Sequence, residues 1–214
     1  MDVSRNTADI LELDEIFGLN AKGENMKNIQ GANIAGGNPS RGRVDNDYYA
    51  TPENGTIPLF ENEQFQGEIW ECACGEGHMS EVIKRYNQNV YSTDLIYRGY
   101  GIGEVDFLSS QRETDNIITN PPFNLFQEFA QKALSVSKNK VALFGKLQAL
   151  EGQKRATFLE NTPLETVYVF KKRINPMRNG KDCDENGKKW ASTMAFAWFV
   201  WRKGYEGVPQ IKWI

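Results

Sequence analysis

Asn116-Ile117-Ile118-Thr119-Asn120-Pro121-Pro122-Phe123 decides how this chain is read. Its first half is a short apolar run of the kind that forms a buried strand. Its second half stops that strand. Both prolines lack an N–H and hold φ near about −65°, so neither a ladder nor a helix continues through them. An Asn side chain, two carbonyls and an aromatic ring are thereby fixed at a strand's carboxyl end, where open α/β sheets bind ligands. The Asn120 amide oxygen and the Pro121 carbonyl can both accept hydrogen bonds from one exocyclic amine. Two acceptors around an amine draw its lone pair out of conjugation and ready it to attack an electrophile. The Phe123 ring can stack on the heterocycle that carries the amine. A Pro-Pro pair also serves simply to end a strand, so the functional reading depends on what surrounds it.

Outward from that turn, apolar runs alternate with helical stripes. Strands are expected over residues 67–72, 89–93, a short stretch ending near Val105, 117–119, 140–147, 166–170 and 194–201. Helices are expected from the Met79, Val82, Ile83, Tyr86 stripe, over 125–134 with Phe126, Phe129 and Leu134 inward, and over 152–160. Alternating strands and helices predict an α/β domain with a mostly parallel sheet covered on both faces. Before it, residues 8–17 place Ile10, Leu13, Ile16 and Phe17 on one helical face, a short docking helix. Residues 18–46 are rich in Gly and Asn and read as an arm or linker. The expected division is therefore 1–46 as an N-terminal arm and 47–214 as the folded domain.

The turn Glu71-Cys72-Ala73-Cys74-Gly75-Glu76-Gly77 joins the first strand to the first helix. Glycines there let a backbone approach a ligand closely, although the third glycine of a dinucleotide fingerprint is absent. Asp94 ends the second strand, where an acid suits bidentate hydrogen bonds to ribose hydroxyls. No P-loop lysine lies nearby, which favours a nucleoside without phosphates.

Composition bounds the rest. The 214 residues are 40% hydrophobic and 25% charged, with a net charge of −3, which excludes a uniformly basic nucleic-acid coat but not a local basic patch. Cys72, Cys74 and Cys183 make no disulfide framework, and a reducing cytoplasm is the natural setting. Cys72 and Cys74 lack a second pair for a metal, and one histidine, His78, makes a His-based metal site or triad improbable. No metal is expected. No apolar stretch reaches transmembrane length.

Taken together, Tyr-x-Thr-Pro at 49–52, Glu-x-Ala-Cys-Gly-x-Gly at 71–77, the acid after strand two, Asp-Phe-Leu at 106–108 and Asn-Pro-Pro-Phe at 120–123 resemble the S-adenosylmethionine-dependent DNA adenine-N6 methyltransferases. The small phage and prophage type is the most similar, and the resemblance covers about residues 47–214. It implies a single-domain Rossmann-like methyltransferase fold with a seven-stranded, mostly parallel sheet, one strand antiparallel near its edge. It implies S-adenosylmethionine as cofactor. Tyr49, Thr51 and Pro52 would hold the cofactor's carboxylate end. Glu71 and the backbone of Ala73, Gly75 and Gly77 would surround its methionine amine and ribose. Asp94 would take the ribose hydroxyls with Leu95 against the adenine, and Asp106 would take the adenine amine with Phe107 beside it. Asn120 and Pro121 would accept from the target amine, Pro122 would fix the turn, and Phe123 would stack on a flipped adenine in double-stranded DNA. The setting would be the cytoplasm, that of a host cell if the chain is phage-encoded.

The resemblance leaves alternatives: an RNA adenine methyltransferase, a protein-glutamine methyltransferase, or an inactive homologue that only binds cofactor or DNA. No large target-recognition segment is present. The best substitute is the basic stretch 171–190, where Lys171, Lys172, Arg173 and Arg178 are candidate phosphate contacts. Lys146 and Gln148, just after the fifth strand, are further candidates for the substrate groove. Trp70 and Trp198 lie inside apolar runs and are expected in the core, and residues 208–214 are expected to dock back on the domain.

Overall fold

The computed structural model describes residues 48–189 and 193–214. The helix expected over 8–17 and the linker expected over 18–46 lie outside the described residues.

Nine strands and four α-helices follow one another among the described residues: β1 (Tyr49–Ala50), α1 (Glu53–Asn62), β2 (Ile69–Glu71), α2 (His78–Tyr86), β3 (Val90–Ser92), β4 (Thr114–Thr119), α3 (Phe126–Val136), β5 (Ser137–Lys146), α4 (Gln153–Glu160), β6 (Leu164–Val169), β7 (Met177–Arg178), β8 (Phe196–Arg202) and β9 (Gln210–Trp213). Seven of the strands form one sheet in the order β3-β2-β4-β5-β8-β6-β9. Every neighbouring pair is parallel except those made by β8, which runs antiparallel to both β5 and β6.

Period-two alternation divides the sheet into two apolar faces. Ile117, Val141, Leu143, Phe199 and Trp201 pack on one side with Phe129 and Ala133 of α3 and Phe158 of α4. Ile118, Ala142, Phe144, Trp198 and Val200 pack on the other with Leu59 of α1 and Met79 and Ile83 of α2. Burial on both faces explains why β8 reads as an almost unbroken apolar run. Trp70 and Trp198 are fully buried, as expected, and their indole N–H groups donate to Thr93 Oγ1 at 2.8 Å and to the Gly55 carbonyl at 2.7 Å.

The strand count agrees with expectation but its membership does not. The short strand expected near Val105 is absent, and only an isolated bridge, Thr93 to Ile102, runs there. Gly99, Gly101 and Glu104 all have positive φ, and a chain so bent offers no extended edge. The seventh strand is β9, from the terminal run, which pairs with β6 and so places β8 one strand further from the edge. Helix α1 was not anticipated. Pro58 in its interior argues against a helix, whereas Pro52 at its N-cap and Glu53 in its first turn are the signals that mark its start.

The basic stretch is tied down. β7 pairs antiparallel with β1, Tyr49 opposite Arg178 and Ala50 opposite Met177. Beyond it a turn is closed by Asp184, whose Oδ1 accepts the N–H groups of Asn186 and Lys188, both at 2.9 Å.

Candidate active site

A cleft of about 570 Å³ opens at the carboxyl ends of β2 and β4, walled by β1 on one side and the loops after β3 on the other. Its lining brings together Tyr49, Thr51, Glu71, Ala73, Asp94, Leu95, Asp106, Phe107 and the whole Asn120–Phe123 turn, residues spread over more than seventy positions of sequence. Pro52, Gly75 and Gly77 stand behind this wall rather than in it. Pro52 caps α1. Gly77 caps α2 with φ 85°, and the Tyr100 ring fills the place a Cβ would take. Lys171, Lys172, Arg173 and Arg178 do not line the cleft. The first three are exposed, and Arg178 is half-buried in the ribbon with β1.

At the Pro-Pro turn, the Asn120 Nδ2 donates to the Tyr49 carbonyl at 2.6 Å. With the nitrogen so engaged, Oδ1 is left buried and without a partner among the described residues. A buried acceptor with no donor is costly unless a ligand supplies one. Beside it the Phe123 ring stacks on Tyr49 with centroids 6.1 Å apart and tilts against Phe196 at 5.6 Å. The Lys146 Nζ sits 4.7 Å from the Phe123 ring centre. That placement puts Lys146 beside the Pro-Pro turn, although it does not line the cleft.

Behind the glycine turn, Asp94 is anchored by both oxygens. Oδ2 accepts the Gly75 N–H at 2.8 Å and Oδ1 the Ile96 N–H at 2.9 Å. Each carboxylate oxygen keeps a further lone pair for a ligand hydroxyl. Glu71 is buried, and its carboxyl is met by the Ser80 hydroxyl, itself 2.6 Å from the Ser92 hydroxyl. Burial pushes the Glu71 carboxyl up to about 8, repulsion from Asp94 adds to this, and the Ser80 hydrogen bond opposes it. Burial likewise raises the Cys72 thiol and takes that of Cys74 to about 12, so both sulfurs stay protonated at neutral pH. Thr51 lines the same cleft and is buried, its Oγ1 without a partner among the described residues.

At the adenine end of the expected site, Leu95 is 61% exposed and Asp106 is exposed with Oδ1 accepting the Leu108 N–H at 3.0 Å. Phe107 is packed edge-on against Trp70 at 5.2 Å, so it supports the wall from within the core. Tyr48 and Arg98 are among the cleft residues that escaped the sequence reading. Tyr48 belongs to the same aromatic run as Tyr49, a signal that was available. Arg98 sits in a glycine-flanked loop where nothing in sequence distinguishes it from a solvated surface charge.

No family model matches the chain, and no curated protein matches it. Solved structures do. A protein assigned as a modification subunit of a type I restriction enzyme from Vibrio vulnificus YJ016 is 13% identical, with a TM-score of 0.55, covering 79% of this chain and 48% of that one. The M protein of the type I restriction enzyme EcoKI is 15% identical, with a TM-score of 0.51, covering 70% of this chain and 42% of that one. A protein from Pyrococcus horikoshii assigned as an RNA methyltransferase is 13% identical, with a TM-score of 0.50, covering 69% and 80%. The chain spans less than half the length of the two restriction-enzyme subunits it matches. At such identities the likeness is one of fold, and the fold is the Rossmann-like α/β fold of methyltransferases.

Proposed function

We propose that this chain transfers a methyl group from S-adenosylmethionine to the N6 amine of adenine in DNA. The observation that carries the proposal is the polarity of the Asn120 amide. Its nitrogen is committed to the Tyr49 carbonyl, so the group left without a partner among the described residues is an acceptor. An acceptor there suits an amine and repels a carbonyl.

The residues fit the cofactor. Thr51 offers an unpartnered hydroxyl, Glu71 and Asp94 offer carboxyl groups, and Leu95 offers an apolar surface, all in one cleft. That donor set suits a nucleoside with a charged amino-acid tail. When bound, S-adenosylmethionine supplies an electrophilic methyl group on a sulfonium. Asn120 Oδ1 and the Pro121 carbonyl accept the two hydrogens of the target amine and turn its lone pair toward that methyl. Pro121 and Pro122 hold these acceptors without reorganisation, so catalysis is positioning plus electrostatics. Phe123 stacks on the base, which must leave the duplex to reach the turn. The alkylated amine is a strong acid and loses its proton to water. Neither Cys72 nor Cys74 is ionised, so neither acts as a nucleophile.

The exposed Lys171, Lys172 and Arg173 beside the β1–β7 ribbon are the proposed phosphate contacts. Tritiated methyl transfer to DNA, RNA and protein acceptors, with nuclease controls and nucleoside analysis of the product, tests the proposal. N6-methyladenine in DNA is expected. Label confined to RNA or to glutamine, or 5-methylcytosine as product, overturns it.

A further inference from the structure

Among the residues that line the cleft, Arg98 is the one lysine or arginine, set among the acids Glu71, Asp94 and Asp106. Its guanidinium lies over the Tyr48 ring, 4.4 Å from the ring centre. Tyr48 is itself fixed. Its hydroxyl accepts the Glu76 N–H at 3.0 Å, and its ring covers the side of Gly75 that a Cβ would occupy. Among the described residues no hydrogen bond or ion pair engages the N–H groups of Arg98. Asp94, four positions earlier, is not its partner, because its oxygens face the Gly75 and Ile96 amides. A guanidinium held over a ring by cation–π attraction still has N–H donors for a ligand, and two parallel N–H groups match a carboxylate. The cleft therefore holds a rigidly supported cationic fork with no anion of its own.

We propose that Arg98 is the residue that binds the carboxylate of the cofactor's amino-acid tail, with the unpartnered Thr51 hydroxyl as second donor; this rests on S-adenosylmethionine being the cofactor. The charges require such a residue. The sulfonium and ammonium of the cofactor are cations and suit a cleft of acids, whereas its carboxylate is repelled by Asp94 and Asp106. A cation inside the same wall offsets that repulsion. A DNA phosphate is the competing ligand, but the backbone of a duplex stays outside a cleft of this size.

Calorimetry on wild type, Arg98→Gln and Arg98→Lys tests this with two ligands: S-adenosylmethionine and its decarboxylated form, which lacks only the carboxylate. Arg98→Gln is expected to weaken S-adenosylmethionine about ten- to a hundredfold, the range for a hydrogen bond between charged groups. It should leave the decarboxylated ligand unchanged, which also shows that the cleft is intact. Arg98→Lys should recover part of the loss, because charge returns without the fork. An equal loss for both ligands, or no loss for either, overturns the assignment. So does unchanged cofactor affinity with a lowered salt dependence of DNA binding, which would give Arg98 to phosphate. Wild type that binds neither ligand removes the cofactor reading itself, and the assignment with it.

Discussion

Two side chains set expectations at the scale of single residues, and the first is Asn120, held by its nitrogen and left without a partner at its oxygen among the described residues. Asn120→Ala is expected to lower the rate of methyl transfer by about 10²–10³, the usual cost of one preorganised partner at a reacting centre. Cofactor affinity by calorimetry should stay near wild type, and a wild-type transfer rate in the variant would remove Asn120 from the chemistry. Glu71 gives the second. Its carboxyl is raised to about 8 in the fold from an ordinary value of 4.5, chiefly by burial. The folded protein therefore holds this proton more tightly than the unfolded chain. Its contribution to stability is complete below about pH 4.5 and is lost as pH rises toward 8. Glu71→Gln should accordingly gain stability relative to wild type across that window, read by denaturant unfolding at pH 5, 6.5 and 8. Parallel profiles would show that Glu71 does not titrate there. The places of Asn120 and Glu71 in the cleft were legible because the sequence neighbours of each line it too. Arg98 was not, since its meaning comes from Tyr48, fifty positions away.

Among the elements, the β1–β7 ribbon ties the basic stretch, expected as a phosphate-contact loop, to β1, whose Tyr49 and Ala50 line the cleft. Its exposed charges lead to an expectation about DNA. Neutralising Lys171, Lys172 and Arg173 together should lower the log–log salt slope of DNA binding by up to about 3, near one for each phosphate left without its cation. A wild-type slope would assign them to solvation. Elements were legible wherever a face decided them. β4, β5 and β8 carry the two-residue alternation or unbroken burial that marks a strand, and α2 and α3 carry the helical stripe. α1 was hidden by Pro58, whose missing N–H argues against a helix that packing nonetheless retains. β9 was hidden for the opposite reason: its side chains are exposed, so no buried face announces it, and its strand character comes from pairing with β6.

For the molecule as a whole, Trp198 is the tie between distant parts of the chain. It is fully buried in β8, yet its indole N–H reaches the Gly55 carbonyl in α1. Trp198→Phe keeps most of the volume and removes that buried hydrogen bond, at a cost of about 0.5–1.5 kcal/mol. Against a total stability of about 5–15 kcal/mol, the loss should appear plainly in a urea midpoint. An unchanged midpoint would mean water takes over the carbonyl.

The place of β8 also has a consequence for biosynthesis. It lies between β5 and β6 but follows both in the chain. A ribosome that has released β6 has made two apolar strands whose shared neighbour does not yet exist. About thirty more residues must emerge first, roughly 1.5–6 seconds at about 5–20 residues per second. Throughout that interval the nascent chain exposes the edges of β5 and β6, and unpaired strand edges of that kind invite aggregation and chaperone capture.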